Sequence, residues 1–426
     1  MVRFWPPLFL FIALSASVAR GQAPKSTYTP VHQADDPHAA NLVADSALDP
    51  VAAPVEQVLP RPPAAIYHAD EPTGQFWLRA DYLAWRLSGP RLPPLVTASP
   101  SGTARADAGV LGAPGTVVLV GDETVNDDFR SGARIRVGGW LDECRTIGFE
   151  VSGLVLDRHA EHFLAGSADG SLVVGRPFVD ARTGLGNAEL VSFPGVLGGT
   201  VAVDADSSKF WAANAVCRKS LCRDCTGYID VVAGYRYLQF GDGLRVVEQL
   251  QPLPPAFPAG SQITVVDEFN PSNRFNGGVV GLVAGYSAGA WFVDAQARVA
   301  VGQTSSTVSV AGATRLNITG IESTTAAGGL LAQRTNIGSF HSSDWTVVPD
   351  FELAVGCWLN RCSRVFVGYS ALYWPRITRA GDQIDLVVNP TQLPPGTLVG
   401  PARPAFNLSR SDLWAHGLSI GVEFRY

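Results

Sequence analysis

This sequence predicts an all-β fold, an antiparallel transmembrane β-barrel of about ten to twelve strands, on three observations. Apolar residues make up 46% of the 426 and charged residues only 16%, against roughly 25% charged in an ordinary soluble domain. Beyond residue 75 the chain runs in period-two segments whose connections alternate between short and long. The last segment ends on Tyr426, an aromatic residue on an amphipathic strand. These are the features of strands apolar on their outer face, with short periplasmic turns at one end and long extracellular loops at the other.

The N-terminal stretch carries Arg3, an apolar run from Phe4 to Val18, and small residues at Ser17 and Ala19. It reads as a cleaved signal peptide over 1–21, which implies export to the bacterial envelope. Residues 22–74 are rich in Ala, Pro and Asp, and Pro50, Pro54, Pro60, Pro62 and Pro63 oppose regular structure. This is the composition of a disordered periplasmic arm. The barrel then occupies 75–426.

The strand candidates are 76–88, 132–141, 147–156, 200–217, 228–240, 263–286, 291–312, 345–359, 365–373 with its continuation, and 413–426. In the first, Trp77, Leu83 and Trp85 share a face with Arg79 and Asp81, so the pattern is mixed. The third sets Ile147, Phe149 and Val151 against Gly148, Glu150 and Ser152. The charge-free run 275–293 is long enough for a membrane helix, but five glycines break it into two strands and a hairpin. Trp291, Val293, Ala295, Ala297 and Val299 then oppose Asp294, Gln296 and Arg298, and Phe351, Leu353 and Val355 oppose Asp350 and Glu352.

The last strand alternates most regularly. Trp414, His416, Leu418, Ile420, Val422, Phe424 and Tyr426 fall on one face, Ser419, Glu423 and Arg425 on the other. Trp414, Leu418, Ile420, Val422, Phe424 and Tyr426 are the expected assembly signal, read by the barrel-insertion machinery. A soluble sandwich also alternates, but it has no need of aromatic girdles. Trp77, Tyr82, Trp85, Trp140, Tyr235, Tyr237, Trp291, Trp345, Trp358, Trp374 and Trp414 lie mostly near strand ends, where such girdles meet lipid headgroups.

The candidate lumen-facing residues are Arg134, Arg136, Glu150, Asp230, Arg236, Asp294, Gln296, Arg298, Asp350, Glu352, Glu423 and Arg425. Their charges are of both signs, and in a narrow barrel they would pair into a plug. About eight strands are filled by their own side chains, whereas 16 to 18 leave a channel. All six cysteines, Cys144, Cys217, Cys222, Cys225, Cys357 and Cys362, fall at or beside short turns of an exported chain, which favours disulfides. Cys357 and Cys362 bracket one hairpin end and are expected to pair, leaving three pairings open to the rest. The C-x-x-C of Cys222 and Cys225 lacks the helix N-terminus of a redox motif.

The stretches 76–82 with Trp85, Pro93-Pro94-Leu95-Val96-Thr97 with Ser99-Pro100, Gly109-Val110-Leu111-Gly112, 131–132 through 140–141, Phe193-Pro194-Gly195, Gly234-Tyr235-Arg236-Tyr237-Leu238 and Phe275-Asn276-Gly277-Gly278 carry a family resemblance. In their order and spacing, from residue 75 to 426, the chain resembles the seventh putative β-barrel porin family of planctomycete-type bacteria. That resemblance implies an outer-membrane barrel and transfers no catalytic residue.

The functional expectation is an outer-membrane porin or narrow channel for small solutes. The alternative is a sealed structural or surface-recognition barrel acting through its long loops. No enzyme is expected, because no Ser, His and Asp set converges. No cofactor or metal is expected either: His159, Glu161 and His162 lack the helical spacing of a metalloprotease and read as a solvated loop. Net charge is −6 with no basic cluster, which argues against nucleic acid and leaves lipid and the insertion machinery as the expected partners.

Overall fold

The computed structural model describes residues 74–208, 210–255 and 257–426. The expected signal peptide, and all of the arm but Gly74, lie outside them. The described strands are β1 (Phe76–Leu87), β2 (Val96–Ser99), β3 (Val117–Val120), β4 (Phe129–Trp140), β5 (Ile147–Leu156), β6 (His159–Ser167), β7 (Val173–Asp180), β8 (Gly186–Ser192) and β9 (Leu197–Ser207). They continue as β10 (Phe210–Arg223), β11 (Gly227–Pro252), β12 (Gln262–Ala288), β13 (Trp291–Asn317), β14 (Thr324–Ala327), β15 (Gly338–Trp358), β16 (Ser363–Ile377), β17 (Val387–Val388) and β18 (Ser411–Arg425).

Ten of these close into an antiparallel ring in the order β1, β4, β5, β10, β11, β12, β13, β15, β16, β18 and back to β1. The closing pair runs from Trp77 opposite Arg425 to Leu87 opposite Ala415. Phe76 and Tyr426 exchange backbone hydrogen bonds of 3.0 and 2.9 Å at its end. Closure leaves the barrel no unpaired edge, the condition for strands to cross a bilayer.

The short turns lie at one end of the ring. Asp142 accepts from the backbone N–H groups of Ile147 at 2.8 Å and Thr146 at 3.0 Å, and Asp224 from those of Thr226 and Gly227 at 2.7 Å. Side-chain acceptors of this kind fold a tight turn onto itself.

At the other end the structure adds to the sequence expectation. The long connections are present, and parts of them fold into further strands. β11, β12 and β13 run for 26, 27 and 27 residues, where a tilted membrane strand needs about 9–11. Their upper halves continue past the barrel, where β11 pairs with β9 and β13 with β14, and β6 adds to the far side of β9. A second sheet, β17-β7-β2-β3 with β8 on β7, covers the inner face of this extension. Val203, Val246, Phe269 and Val308 of the extended wall share one buried apolar core with Val96, Val174, Phe178 and Val191 of the covering sheet. We call this part the head.

The single strand expected over 200–217 is two, because its neighbour changes partway. β10 pairs with β5 in the barrel, and β9 with β6 in the head. Between them Ser208 N–H donates to the Gly241 carbonyl, and Gly241 N–H to Ser208 Oγ, both at 2.9 Å. The ladder to β11 therefore hardly lapses.

Outside, the barrel wall is apolar all round. Leu78, Ile135, Val151, Val280, Val301, Val347, Val355, Val367 and Ile420 are among its exposed residues, and they come from eight different strands of the ring. An uninterrupted belt of this size is foreign to a soluble monomer, and hydrocarbon is the solvent that suits it.

Candidate functional site

The inner face of the barrel is built in layers, because each strand changes its inward residues along its length. On β11 alone the sequence runs Asp230, Arg236, Leu238, Phe240, Asp242, Leu244, Val246, all buried. Toward the short turns lies a charged layer. Glu352 on β15 receives Arg79 Nη2 at 2.7 Å and Arg134 Nη1 at 2.8 Å, and is also bonded by Arg136. Asp81 takes Arg79 Nε at 3.0 Å and Arg134 Nε at 2.6 Å. Asp230 holds Arg218 at 2.6 Å and Arg223 at 3.3 Å, with Glu150 3.7 Å from Arg218. Arg364 reaches Asp294 at 2.8 Å and Glu423 at 2.6 Å, and Arg425 binds Glu423 at 2.7 Å. Deeper in, Asp350 joins Arg236 and, at 3.0 Å, Arg298.

All of the residues expected to face the lumen lie on this inner face: Arg134, Arg136, Glu150, Asp230, Arg236, Gln296, Arg298, Glu352 and Glu423 are buried, Asp350 joins the pairs above, and Asp294 and Arg425 line a cup at the short-turn end. Sequence reasoning missed Arg79, Asp81, Arg218, Arg223 and Arg364. The first two were legible, since every odd residue of β1 from Arg79 to Leu87 is buried and Leu78 and Tyr82 are exposed. The other three were assigned to turns, and the strands carry further than the pattern suggests.

Above the charges lies an apolar layer in which Leu83, Trp85, Phe210, Phe240, Phe275 and Trp374 pack together. Phe275 and Trp374 meet edge to face at 6.4 Å, and Trp374 Nε1 donates to Thr304 at 2.9 Å. This accounts for the mixed face of β1 and corrects part of the expected aromatic girdle. Trp77, Trp140 and Trp358 line or flank the charged layer, and Trp85 and Trp374 are core. Tyr82, Tyr235, Trp291, Trp345 and Trp414 stand outside, between 41% and 71% exposed.

A strap then crosses the mouth. After β16, Arg379 Nε donates to Asp242 at 2.8 Å, its Nη2 to the Ser88 carbonyl at 2.6 Å, and Ala380 N–H to Asp242 at 2.9 Å. Thr378 and Asn273 exchange bonds of 2.8 and 2.9 Å. The ends of β1 and β16 are thereby tied to the middles of β11 and β12 across the opening beneath the head. Within the head, Arg176 pairs with Glu248 at 2.5 Å and Asp267 at 2.7 Å, all without solvent exposure. Nearby Glu189 has an oxygen shut off from solvent and unpartnered among the described residues. Desolvation, and then the charge of Glu248, hold its carboxyl well above the ordinary range.

The cysteines gather at the short-turn end, and all six are free thiols. The expected Cys357–Cys362 bond is not formed. Cys357 stands opposite Val365, three residues along the chain from Cys362, which lies in the turn and donates its N–H to Asn360. Cys217 sits within β10, opposite Phe149 and Ala233, and Cys144, Cys222 and Cys225 are exposed like it. His159, Glu161 and His162 belong to strand β6, not to a loop. Alternation parts them: His159 and Glu161 group with Asp128 within 4.8 Å, while His162 Nδ1 meets Asp204 at 2.7 Å. On β18, Trp414, Leu418, Ile420 and Phe424 are exposed on the outer face, with Val422 half-buried among them, and Tyr426, just past the strand, is exposed too.

The chain matches the family model described as Putative beta barrel porin-7 over residues 77–426. Comparison with curated proteins gave no match. Among solved structures, the outer membrane protease OmpT of Escherichia coli is 8% identical, with 83% of this chain and 97% of that one covered and a TM-score of 0.43. A Pseudomonas aeruginosa FadL homologue is 6% identical, over 82% and 89%, with a TM-score of 0.21. The toluene transporter TodX of P. putida is 9% identical, over 84% and 93%, with a TM-score of 0.17.

Proposed function

Because the chain belongs to the Putative beta barrel porin-7 family and is an outer-membrane β-barrel protein, we propose that it is a sealed barrel whose work is done by its head at the cell surface, rather than an open diffusion pore. The observation that carries this reading is the filled lumen. A solute would have to break paired arginines, displace packed Trp85, Phe210 and Trp374, and lift the Arg379 strap in turn. Ten strands enclose little more space than side chains fill. In this orientation the short turns face the periplasm and the head faces outward, as in bacterial barrels generally.

A folded head of two packed sheets offers a rigid display surface, which suits structural or recognition work better than loose loops do. The test has two parts. An epitope tag inserted at the exposed Gly184 turn, where φ is +72° and a Cβ would meet nothing within 4 Å, is expected to be detected on intact cells. Liposomes carrying the protein are expected not to swell in small sugars. Tag detection only after the outer membrane is opened, or rapid swelling, would overturn the reading.

A further inference from the structure

The short-turn end of the barrel is less completely filled than the layers above it. Between the charged layer and the turns lies a cup of about 720 Å³, its open mouth included, whose inner end is stopped by the ion pairs of Arg79 and Arg136 with Glu352. Seven arginines line it against four carboxylates. Three further charged side chains, Arg134, Asp81 and Asp230, sit behind its wall in the same network.

Two of the lining arginines carry a donor with no acceptor. The Nε atoms of Arg223 and Arg364 are shut off from solvent and unbonded among the described residues. The Arg364 side chain is only 5% exposed, and its Nη2 is already committed to Asp294 and Glu423. Arg223 is stacked 4.8 Å from the ring centroids of Trp140 and Tyr228, which fixes the plane of its guanidinium and the direction of its N–H edge. Leaving a buried donor unmade is costly, more so on a charged group. Guanidinium edges held in this way match the geometry of phosphate and carboxylate oxygens.

We propose that the cup is an oxyanion site, taking a multiply charged phosphate or carboxylate group on the Nε edges of Arg223 and Arg364. Two sources supply that chemistry: a free solute entering by the mouth, or the chain's own Asp70 and Glu71, which precede the rim residue Gly74 by four and three positions. The proposal needs only the cup, so it stands or falls separately from the question of conduction.

The full mature chain in detergent, verified as folded by heat-modifiable gel migration, is titrated calorimetrically with tripolyphosphate at low salt. Arg223→Gln and an Asp70→Asn, Glu71→Gln double variant are titrated in parallel. Saturable binding to the unaltered chain, weakened about tenfold by Arg223→Gln and by added salt, assigns the cup to a free solute; tenfold is ~1.4 kcal/mol. Binding that appears only in the double variant, and is lost when Arg223→Gln is added to it, assigns the cup to the chain's own carboxylates. No saturable binding in any folded form, or equal affinity with and without Arg223→Gln, overturns the proposal.

Discussion

Glu352 is the residue on which the charged layer turns, since Arg79, Arg134 and Arg136 all converge on it. Removing one partner of a buried pair strands the others, at a cost of about 3–5 kcal/mol. Glu352→Ala is therefore expected to lower the unfolding free energy of the barrel, read from urea denaturation, by that amount. The surface pair Arg91–Asp122, with both side chains about two-thirds exposed, provides the contrast: Arg91→Ala should change stability by less than about 1 kcal/mol. Alternation alone indicated Glu352 and Asp350, because their strand neighbours Phe351, Leu353 and Val355 are apolar. It gave no way to learn that Glu352 meets arginines on β1 and β4, more than two hundred positions earlier. The fate of the cysteines was equally hidden, since a hairpin's bracket in sequence does not make two residues opposite in register.

At the scale of elements, β18 closes the ring through Tyr426 and presents Leu418, Ile420 and Phe424 to lipid. Deleting residues 424–426 removes the last closing bonds to Phe76 and is expected to abolish the heat-modifiable form in the outer membrane; full assembly of the truncated chain would contradict this. The head makes a prediction about pH. A carboxyl held above its ordinary pKa favours the proton in the folded state, so its stabilising effect is present below about 4.3 and is lost as pH rises toward the raised value. Desolvated Glu189, with Glu248 beside it, should thus make the head melt at lower temperature as pH rises from mildly acid to neutral. Glu189→Gln is expected to flatten that dependence. The head was the least legible element. Its short strands β2, β3 and β17 contain two to four residues, too few to show a period, and their Gly- and Pro-rich flanks look like loop until a second sheet packs on them.

Across the whole molecule, ring order, turn asymmetry and the apolar outer belt were all present in the strand pattern, because a membrane imposes the same rule on every strand. The interior obeys no single rule. The inward face is charged near the short turns, aromatic in the middle and aliphatic in the head, so no single composition test marks it, and Trp85 and Trp374 passed for interface residues. On the function proposed above, these layers close the barrel to solutes, and that closure is the central claim. Single-channel recording in planar bilayers, with protein shown to be folded by its heat-modifiable migration, tests it most directly. A sealed barrel predicts a baseline without conductance steps at moderate voltage. Regular ohmic steps from the unaltered protein would mean that the layers open, and would return the molecule to the porins its family is named for.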